Sequence, residues 1–184
     1  MPPRTLGAMH MSNNRTYEPQ RTCNFEVQIA GLGEQITLSV LSAPAINITN
    51  EEITISHGNA KVKFPGQATF EGGELVVVDF IGADIEKQVH EWQRAVYDPQ
   101  TDKIGWAADY KKNGILTEYS PDGSVTREWK IMGIFPTAVN YGEHTYDGSD
   151  KKQISLTLSY DKCVMTRCGE VQNTSLVDRL PSAG

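Results

Sequence analysis

The chain has 184 residues, of which 39% are hydrophobic and 22% charged, and its formal net charge is −6. This is the composition of an ordinary globular domain. A nucleic-acid-binding protein normally has the opposite net charge. No apolar run approaches the roughly 20 residues that a membrane helix needs, and the amino-terminal stretch lacks the apolar centre of a secretory signal. We therefore expect one domain without a membrane segment, made in a cytoplasm.

The first part of the chain predicts an arm followed by strands. Residues 1–22 are polar and without periodicity, which predicts an amino-terminal arm. Apolar and polar residues then alternate over 25–29 and again over 36–40, which predicts two strands that each have one solvated face. A turn signal at 57–59 predicts a hairpin over about residues 50–64, and Pro65 is expected to end it.

One helix is predicted among these strands. Residues 75–78 are apolar without alternation, as is typical of a strand covered on both faces. After them, apolar side chains recur at helical spacing at Ile85, Val89, Trp92 and Val96. This stripe predicts a helix over about 84–97 that packs beside that strand, with the aspartate at its first position available as a cap.

The second half of the chain again predicts strands. A long loop is expected over 98–112, and a Pro-Asp-Gly turn joins two strands over 115–119 and 125–134. Clean alternation over 154–160 predicts the final strand, and residues 163–184 lack a core pattern and are predicted to form an extension. The expected fold is mainly β: a sandwich or barrel over residues 23–162 with one flanking helix.

No catalytic or metal-binding set is recognisable in the sequence. The four histidines have no partner at ligand spacing, and the only closely spaced cysteine pair lacks a second pair. Four carboxylates flank the central strand, where such groups usually serve structure: Glu71, Glu74, Asp79 and Asp84. We therefore expect no enzyme, no metal and no cofactor.

Three cysteines leave an odd count, which excludes a complete intrachain disulfide framework. They are Cys23, Cys163 and Cys168, and all three are predicted to flank the core. In a cytoplasm they are expected to be free thiols. The alternative is an interchain bond that forms after release into oxidising surroundings.

The polar faces of three predicted strands have two interpretations. They are either plain solvated faces or the inner wall of a wide pore, where acidic and uncharged groups suit a passing polyanion. The candidates for a pore wall are Glu26, Gln28, Thr37, Ser39, Ser155, Thr157 and Ser159. Trp106, isolated in the predicted loop, is a candidate anchor for another chain or a cover for the domain's own edge.

Seven stretches form an ordered series around the predicted helix. They are Phe25–Leu32, Phe64–Leu75, Val76–Trp92, Ala108–Lys112, Glu118–Gly123, Trp129–Pro136 and Ile154–Tyr160. This series resembles the tail-tube proteins of contractile-tailed bacteriophages, and it covers about residues 25 to 161. No single stretch is diagnostic, and the order of all seven carries the resemblance.

The resemblance implies a structural subunit of the virion, assembled in the host cytoplasm. Hexameric rings would stack into a hollow tube, with strands of neighbouring subunits joined into one inner barrel. DNA would pass through without specific binding, the sheath would surround the tube, and baseplate and terminator proteins would close its ends. A projecting hairpin would reach the adjacent ring, with the candidate residues Asn50, Glu51, Glu52 and His57.

Four other functions stay open from the sequence. A baseplate protein that initiates the tube, or the tube subunit of a related injection or secretion system, would have the same fold. A monomeric ligand-binding β-barrel would instead need an apolar cavity. An enzyme is the weakest alternative, because no residue set supports one.

Overall fold

The computed structural model describes residues 19–146 and 150–168. Its strands are β1 (Phe25–Ile29), β2 (Val40–Ser42), β3 (Asn47–His57), β4 (Ala60–Glu71), β5 (Gly73–Val78), β6 (Tyr97–Asp98), β7 (Lys103–Ile104), β8 (Lys112–Tyr119), β9 (Val125–Asn140), β10 (Gln153–Ser159) and β11 (Lys162–Cys168). Its helices are α1 (Glu34–Ser39), α2 (Ile85–Val96) and α3 (Ala107–Tyr110). The fold is mainly β, as predicted.

Seven strands form one bent antiparallel sheet, and the long strand β9 belongs to both of its halves. We call β1-β8-β9-β11 the first half-sheet and β9-β10-β5-β2 the second half-sheet. The amino-terminal part of β9 pairs with β8 and β11, and its carboxyl-terminal part pairs with β10. The described strands do not close into a barrel within one chain.

A glycine allows β9 to pass from one half-sheet to the other. Gly133 has a φ of 70°, which a residue with a side chain rarely adopts. A Cβ atom there would also lie 2.7 Å from the carboxyl carbon of Asp161. Ile131 before the glycine and Ile134 after it are both buried, although they are three positions apart. The irregularity therefore keeps both parts of β9 facing the core.

The two half-sheets and helix α2 share one hydrophobic core. Its largest fully buried side chains are Leu75, Val77, Ile85, Val89, Ile154 and Leu156. The predicted apolar stripe of α2 faces this core, and the indole N–H of Trp92 donates to the carbonyl of Tyr110 at 2.8 Å. The predicted cap is wrong, because Asp84 adopts a left-handed conformation and makes no side-chain capping bond.

We expect that Ile154→Ala lowers the free energy of unfolding by about 2–5 kcal/mol, because it opens a cavity in this core. Ile154 has no exposed surface. Urea denaturation of unassembled protein measures the effect. Thr157→Ala, on the exposed face of the same strand, is the matched control and should change stability by less than about 0.5 kcal/mol. Equal losses in the two variants would contradict the placement of the core.

The strand predicted over 36–40 is wrong, because these residues form helix α1 and the start of β2. Ile36 is buried, whereas Leu38, predicted to share its face, is 77% exposed. The hydroxyl of Ser39 donates to the carbonyl of Ile36 at 2.8 Å, as a helical i−3 contact allows. The alternating pattern therefore belongs to a short helix that buries one face, and not to a strand.

Three predicted boundaries are also wrong. The hairpin is longer than 50–64, since β3 and β4 span Asn47–Glu71, and Pro65 lies inside β4 beside a bulge of this two-stranded sheet. The region 98–112 is not one loop, because it contains β7, helix α3 and parts of two further strands. The extension does not start at residue 163, because Lys162–Cys168 pairs with β9. Residues 1–18 of the predicted arm and 169–184 of the extension lie outside the described residues.

Candidate assembly site

Strand β1 forms one outer edge of the first half-sheet. The amide of Ala30 donates to Asn113 and the amide of Tyr119 donates to Asn24, at 2.7 and 2.9 Å. In this antiparallel register, even-numbered residues of β1 bond to β8. The backbone groups of the odd-numbered residues over 25–29 therefore point away from the sheet, where no described strand pairs with them.

A groove lies beside this edge. Helix α1 borders it, and its volume is about 580 Å³. Glu26, Gln28 and Thr37 line it together, so the structure brings these three predicted wall residues into one place. Leu38 also lines it with 77% of its surface exposed. An apolar side chain beside an unpaired strand edge favours the docking of a further strand.

Strand β11 forms the opposite edge of the first half-sheet. It pairs with β9 on one side and with no described strand on the other. The strand carries two cations, Lys162 and Arg167, and two partly exposed apolar side chains, Val164 and Met165. This edge was missed by sequence reasoning, which placed the end of the domain at residue 162.

The two edges carry opposite charge. One row across the half-sheet runs from Glu26 through Thr117 and Glu128 to Arg167. Hydrogen bonds from the Gln28 amide and the Tyr119 hydroxyl, at 2.7 and 2.8 Å, hold the pKa of Glu26 below its usual range. Glu26 is therefore a carboxylate at neutral pH. In the same row of paired residues, the opposite edge carries the guanidinium of Arg167.

The β3–β4 hairpin has an apolar face that no other part of the described chain covers. Ile53 pairs with Phe64 and Ile55 with Val62, so the four side chains lie on one face. Each of them is about half exposed: 51% for Ile53, 48% for Phe64, 54% for Ile55 and 44% for Val62. The opposite face carries polar residues and the 3.0 Å ion pair between Lys63 and Glu52. Such a contiguous apolar surface marks a contact with another protein.

The residues predicted to mark this hairpin lie on it, at two places. Asn50, Glu51 and Glu52 lie at the β-bulge in the middle of the hairpin, and His57 lies at its tip. All four are exposed. Their contact with an adjacent ring stays a prediction.

The predicted wall residues do not share one surface. Ser155, Thr157 and Ser159 alternate with buried residues on the outer face of the second half-sheet. Glu26 and Gln28 lie on the outer face of the first half-sheet. Because both half-sheets turn their inner faces to one core, these outer faces point in different directions. Ser39 is 2% exposed, so its assignment to a pore wall is wrong.

Trp106 is 82% exposed at the start of α3, and Ile104 beside it is 79% exposed. The pair does not cover the domain's own sheet edge. Its contact with another chain stays a prediction.

The cysteines differ in environment. Cys163 is 5% exposed and belongs to the core, so its predicted position outside the core is wrong. Burial raises the pKa of its thiol. Cys23 and Cys168 are exposed, and none of the three forms a disulfide within the chain.

Over residues 19–146 and 150–168, no group of three or more metal-ligating side chains is close enough to hold an ion. Helices in the same ranges are too short or too polar to span a bilayer. A cleft of about 660 Å³ between β1 and the segment 41–46 is open to solvent and contains the 3.3 Å ion pair between Arg127 and Glu118. It is not the closed apolar cavity of a ligand-binding barrel.

Two free strand edges of opposite charge and an exposed apolar hairpin are features typical of a structural subunit that docks with further protein copies. The comparisons with known proteins identify which one. Residues 21–164 match the family described as T4-like virus tail tube protein gp19. The chain belongs to this family, and it is a structural tube subunit of the kind found in contractile phage tails.

Individual relatives agree with this assignment. The tail tube protein gp19 of Enterobacteria phage T4 is 28% identical over 142 residues, which cover 74% of this chain and 86% of the relative. Two solved structures share the fold. One is the sheath-tube complex of an extracellular contractile injection system, PVC, with a TM-score of 0.56, 17% identity and coverage of 89% and 99% of the two chains. The other is the tube-terminating cap of the anti-feeding prophage, with a TM-score of 0.55, 20% identity and coverage of 80% and 91%.

Proposed function

We propose that the first half-sheets of six copies join edge to edge into a closed ring. The observation that carries this proposal is the pair of free edges, β1 and β11, at the two sides of one four-stranded unit. They run antiparallel, and they carry opposite charge. A contact between two different surfaces that closes by rotation gives a ring, and closure pairs both free edges of the first half-sheet.

The size of such a ring suits a conduit for DNA. Six four-stranded units contain about 24 strands, and a spacing of about 4.8 Å gives a barrel roughly 40 Å across the backbone. The outer face of the first half-sheet would line this channel. Glu26, Glu128 and Lys130 place both signs of charge on it. A wall of mixed charge neither holds nor strongly repels a polyanion, so DNA passes without specific binding.

The rings would stack through the β3–β4 hairpin. Its apolar face is exposed in the isolated chain. Because the hairpin forms a separate two-stranded sheet, it can extend to an adjacent ring and bury this face there. The bulge residues Asn50, Glu51 and Glu52 and the tip residue His57 would lie at the margins of this contact, outside the buried apolar face. Repetition of the same contact extends the stack into a tube.

The remaining surfaces suit the other components of a tail. The exposed pair Ile104 and Trp106 belongs to neither half-sheet, and we assign Trp106 to contact with the sheath. Terminator and baseplate proteins would occupy the two ends of the stack. The protein acts in the virion without catalysis, after assembly in the host cytoplasm.

Electron microscopy of the purified, reduced protein at increasing concentration tests this function. We expect hollow tubes built from six-fold rings, with an inner β-barrel roughly 40 Å across the backbone. A protein that stays monomeric by sedimentation at every concentration tested would contradict the proposal. A baseplate initiator is the second candidate with this fold, and quantitative mass spectrometry of particles separates the two, because a tube subunit is present in many copies per particle.

A further inference from the structure

The two exposed cysteines lie at matching ends of the two free edges. Cys23 precedes the first residue of β1 by two positions, and Cys168 is the last residue of β11. One row of paired residues crosses the half-sheet from Phe25 through Glu118 and Arg127 to Cys168. Both cysteines therefore lie near the same end of the half-sheet.

These cysteines cannot pair within one chain. Three strand spacings of about 4.8 Å put the edges about 14 Å apart, twice the roughly 7 Å that a disulfide allows between Cα atoms. Cys163 does not compete for either of them, because it is buried in the core. Any disulfide of Cys23 or Cys168 within an assembly must therefore join two copies.

The ring brings the two cysteines together. Strand β11 of one copy runs antiparallel to β1 of the next, so the end of the former meets the start of the latter. A register shift of two residues from the row above places Cys168 opposite Cys23. Because the shift is even and the β-bulge at Thr166 is kept, Cys163 and Met165 stay on the same face as Val27 and Phe25. Cys23 lies in the turn that precedes β1, so this pairing requires β1 to extend by two residues in the ring. Residues directly opposite in adjacent strands then have Cβ atoms about 4.5–5.5 Å apart.

We propose that Cys23 of one copy and Cys168 of the next form a disulfide that makes the ring a closed covalent chain. This inference rests on the ring proposed above. Each copy supplies one cysteine to each of its two neighbours, so six bonds would link six copies. A ring fixed in this way resists dissociation after the particle leaves the reducing cytoplasm.

The bond needs an oxidant, for which a small-molecule disulfide suffices. The thiolate of one cysteine attacks a sulfur of the oxidant and releases one small thiolate. The thiolate of the second cysteine then attacks the protein sulfur of this mixed disulfide and releases the other. Two protein thiols lose two electrons and two protons, and the oxidant is reduced to two thiols.

Oxidised glutathione added to reduced, assembled tubes tests the bond. After free thiols are blocked and the protein is denatured, a non-reducing gel should show a ladder from dimer to hexamer, which reductant collapses to monomer. Cys23→Ser and Cys168→Ser should each give monomer alone. Co-assembly of the two variants should give dimers and nothing larger, because each pair then shares one bond. Cys163→Ala is the matched control and should keep the ladder.

The outcomes separate this inference from the proposed function. Tubes visible by electron microscopy with monomer alone on the gel would reject the crosslink and leave the ring intact. An absence of tubes in the reduced wild type would reject the ring itself. Dimers formed by Cys168→Ser alone would show a bond between two copies of Cys23, which overturns the proposed pairing. Mass spectrometry of the unreduced digest should detect the peptide pair that contains Cys23 and Cys168.

Discussion

Replacement of Ile53 and Ile55 by aspartate is expected to abolish tubes and leave single rings. Both side chains are about half exposed on the apolar face of the β3–β4 hairpin. Their burial against an adjacent ring would stabilise the stack by about 0.7–1.5 kcal/mol for each side chain. The variant loses this contribution at both positions, and it also places two carboxylates where a dry contact is expected.

The loss of stacking is expected to be large because all hairpins of a ring carry both substitutions. We expect the concentration at which tubes appear to rise at least a hundred-fold, since about 2.8 kcal/mol per hairpin corresponds to that factor. Sedimentation and electron microscopy of matched samples measure it. The protomer should stay folded, because neither residue belongs to the core. Circular dichroism and the urea midpoint, unchanged from the wild type, verify that the fold is intact.

The opposite face of the same strand supplies a matched control. Thr54→Asp with Ser56→Asp introduces the same charge at neighbouring exposed positions. Tubes should form in this variant at a concentration close to that of the wild type. If the control also fails to stack, the contact is not made by the apolar face. If neither variant is impaired, the hairpin does not join the rings.

Sequence periodicity predicted the helix and the main strands because each of these elements buries one regular stripe. Ile85, Val89 and Trp92 repeat at helical spacing and are almost completely buried. Over 154–158 the alternate residues are buried, as a strand with one covered face requires. In both elements, local pattern and tertiary packing agree.

Periodicity failed where a segment is too short to separate two patterns. Ile36, Leu38 and Val40 alternate, but Ile36, Ser39 and Val40 also fit one helical face. In the structure, Gly33 is extended before α1, and its amide donates to the side chain of Gln88 at 3.1 Å. This contact comes from a residue 55 positions away, so the apolar pattern of the segment does not by itself distinguish the helix from a strand.

The assembly edges could not be predicted from the sequence, because an edge is a property of sheet order. β11 looks like a polar tail until its pairing with β9 is known, although Cys163 and Met165 alternate weakly with Lys162 and Val164. β11 lies at the edge opposite β1 only because β8 and β9 are placed between them in the sheet. The prediction of one pore wall grouped polar residues of β1 and β10 wrongly for the same reason. The sequence does not show that the two strands belong to different half-sheets.

Reversal of the charge at the β1 edge is expected to oppose ring formation, and a second reversal at the β11 edge should restore it. Glu26 faces Arg167 in an unshifted ring, and a shift of two residues places it between Lys162 and Arg167. In either register, Glu26→Lys replaces an attraction with a repulsion. Opposite and like charges across strands differ by about 1–2 kcal/mol, so the concentration needed for assembly should rise about ten-fold.

The triple variant Glu26→Lys, Lys162→Glu, Arg167→Glu should assemble near the wild-type concentration, because it exchanges the signs of the two edges. Glu91→Lys is the matched control, since it makes the same change of charge on an exposed face of α2. Light scattering at low and at high salt distinguishes the causes, because screening shrinks an electrostatic effect within a Debye length of about 10 Å at 0.1 M salt. If Glu26→Lys and Glu91→Lys behave alike, net charge governs assembly and the two edges do not meet. Rescue by the triple variant requires that β1 of one copy lies beside β11 of the next, because no contact within a single chain joins these strands.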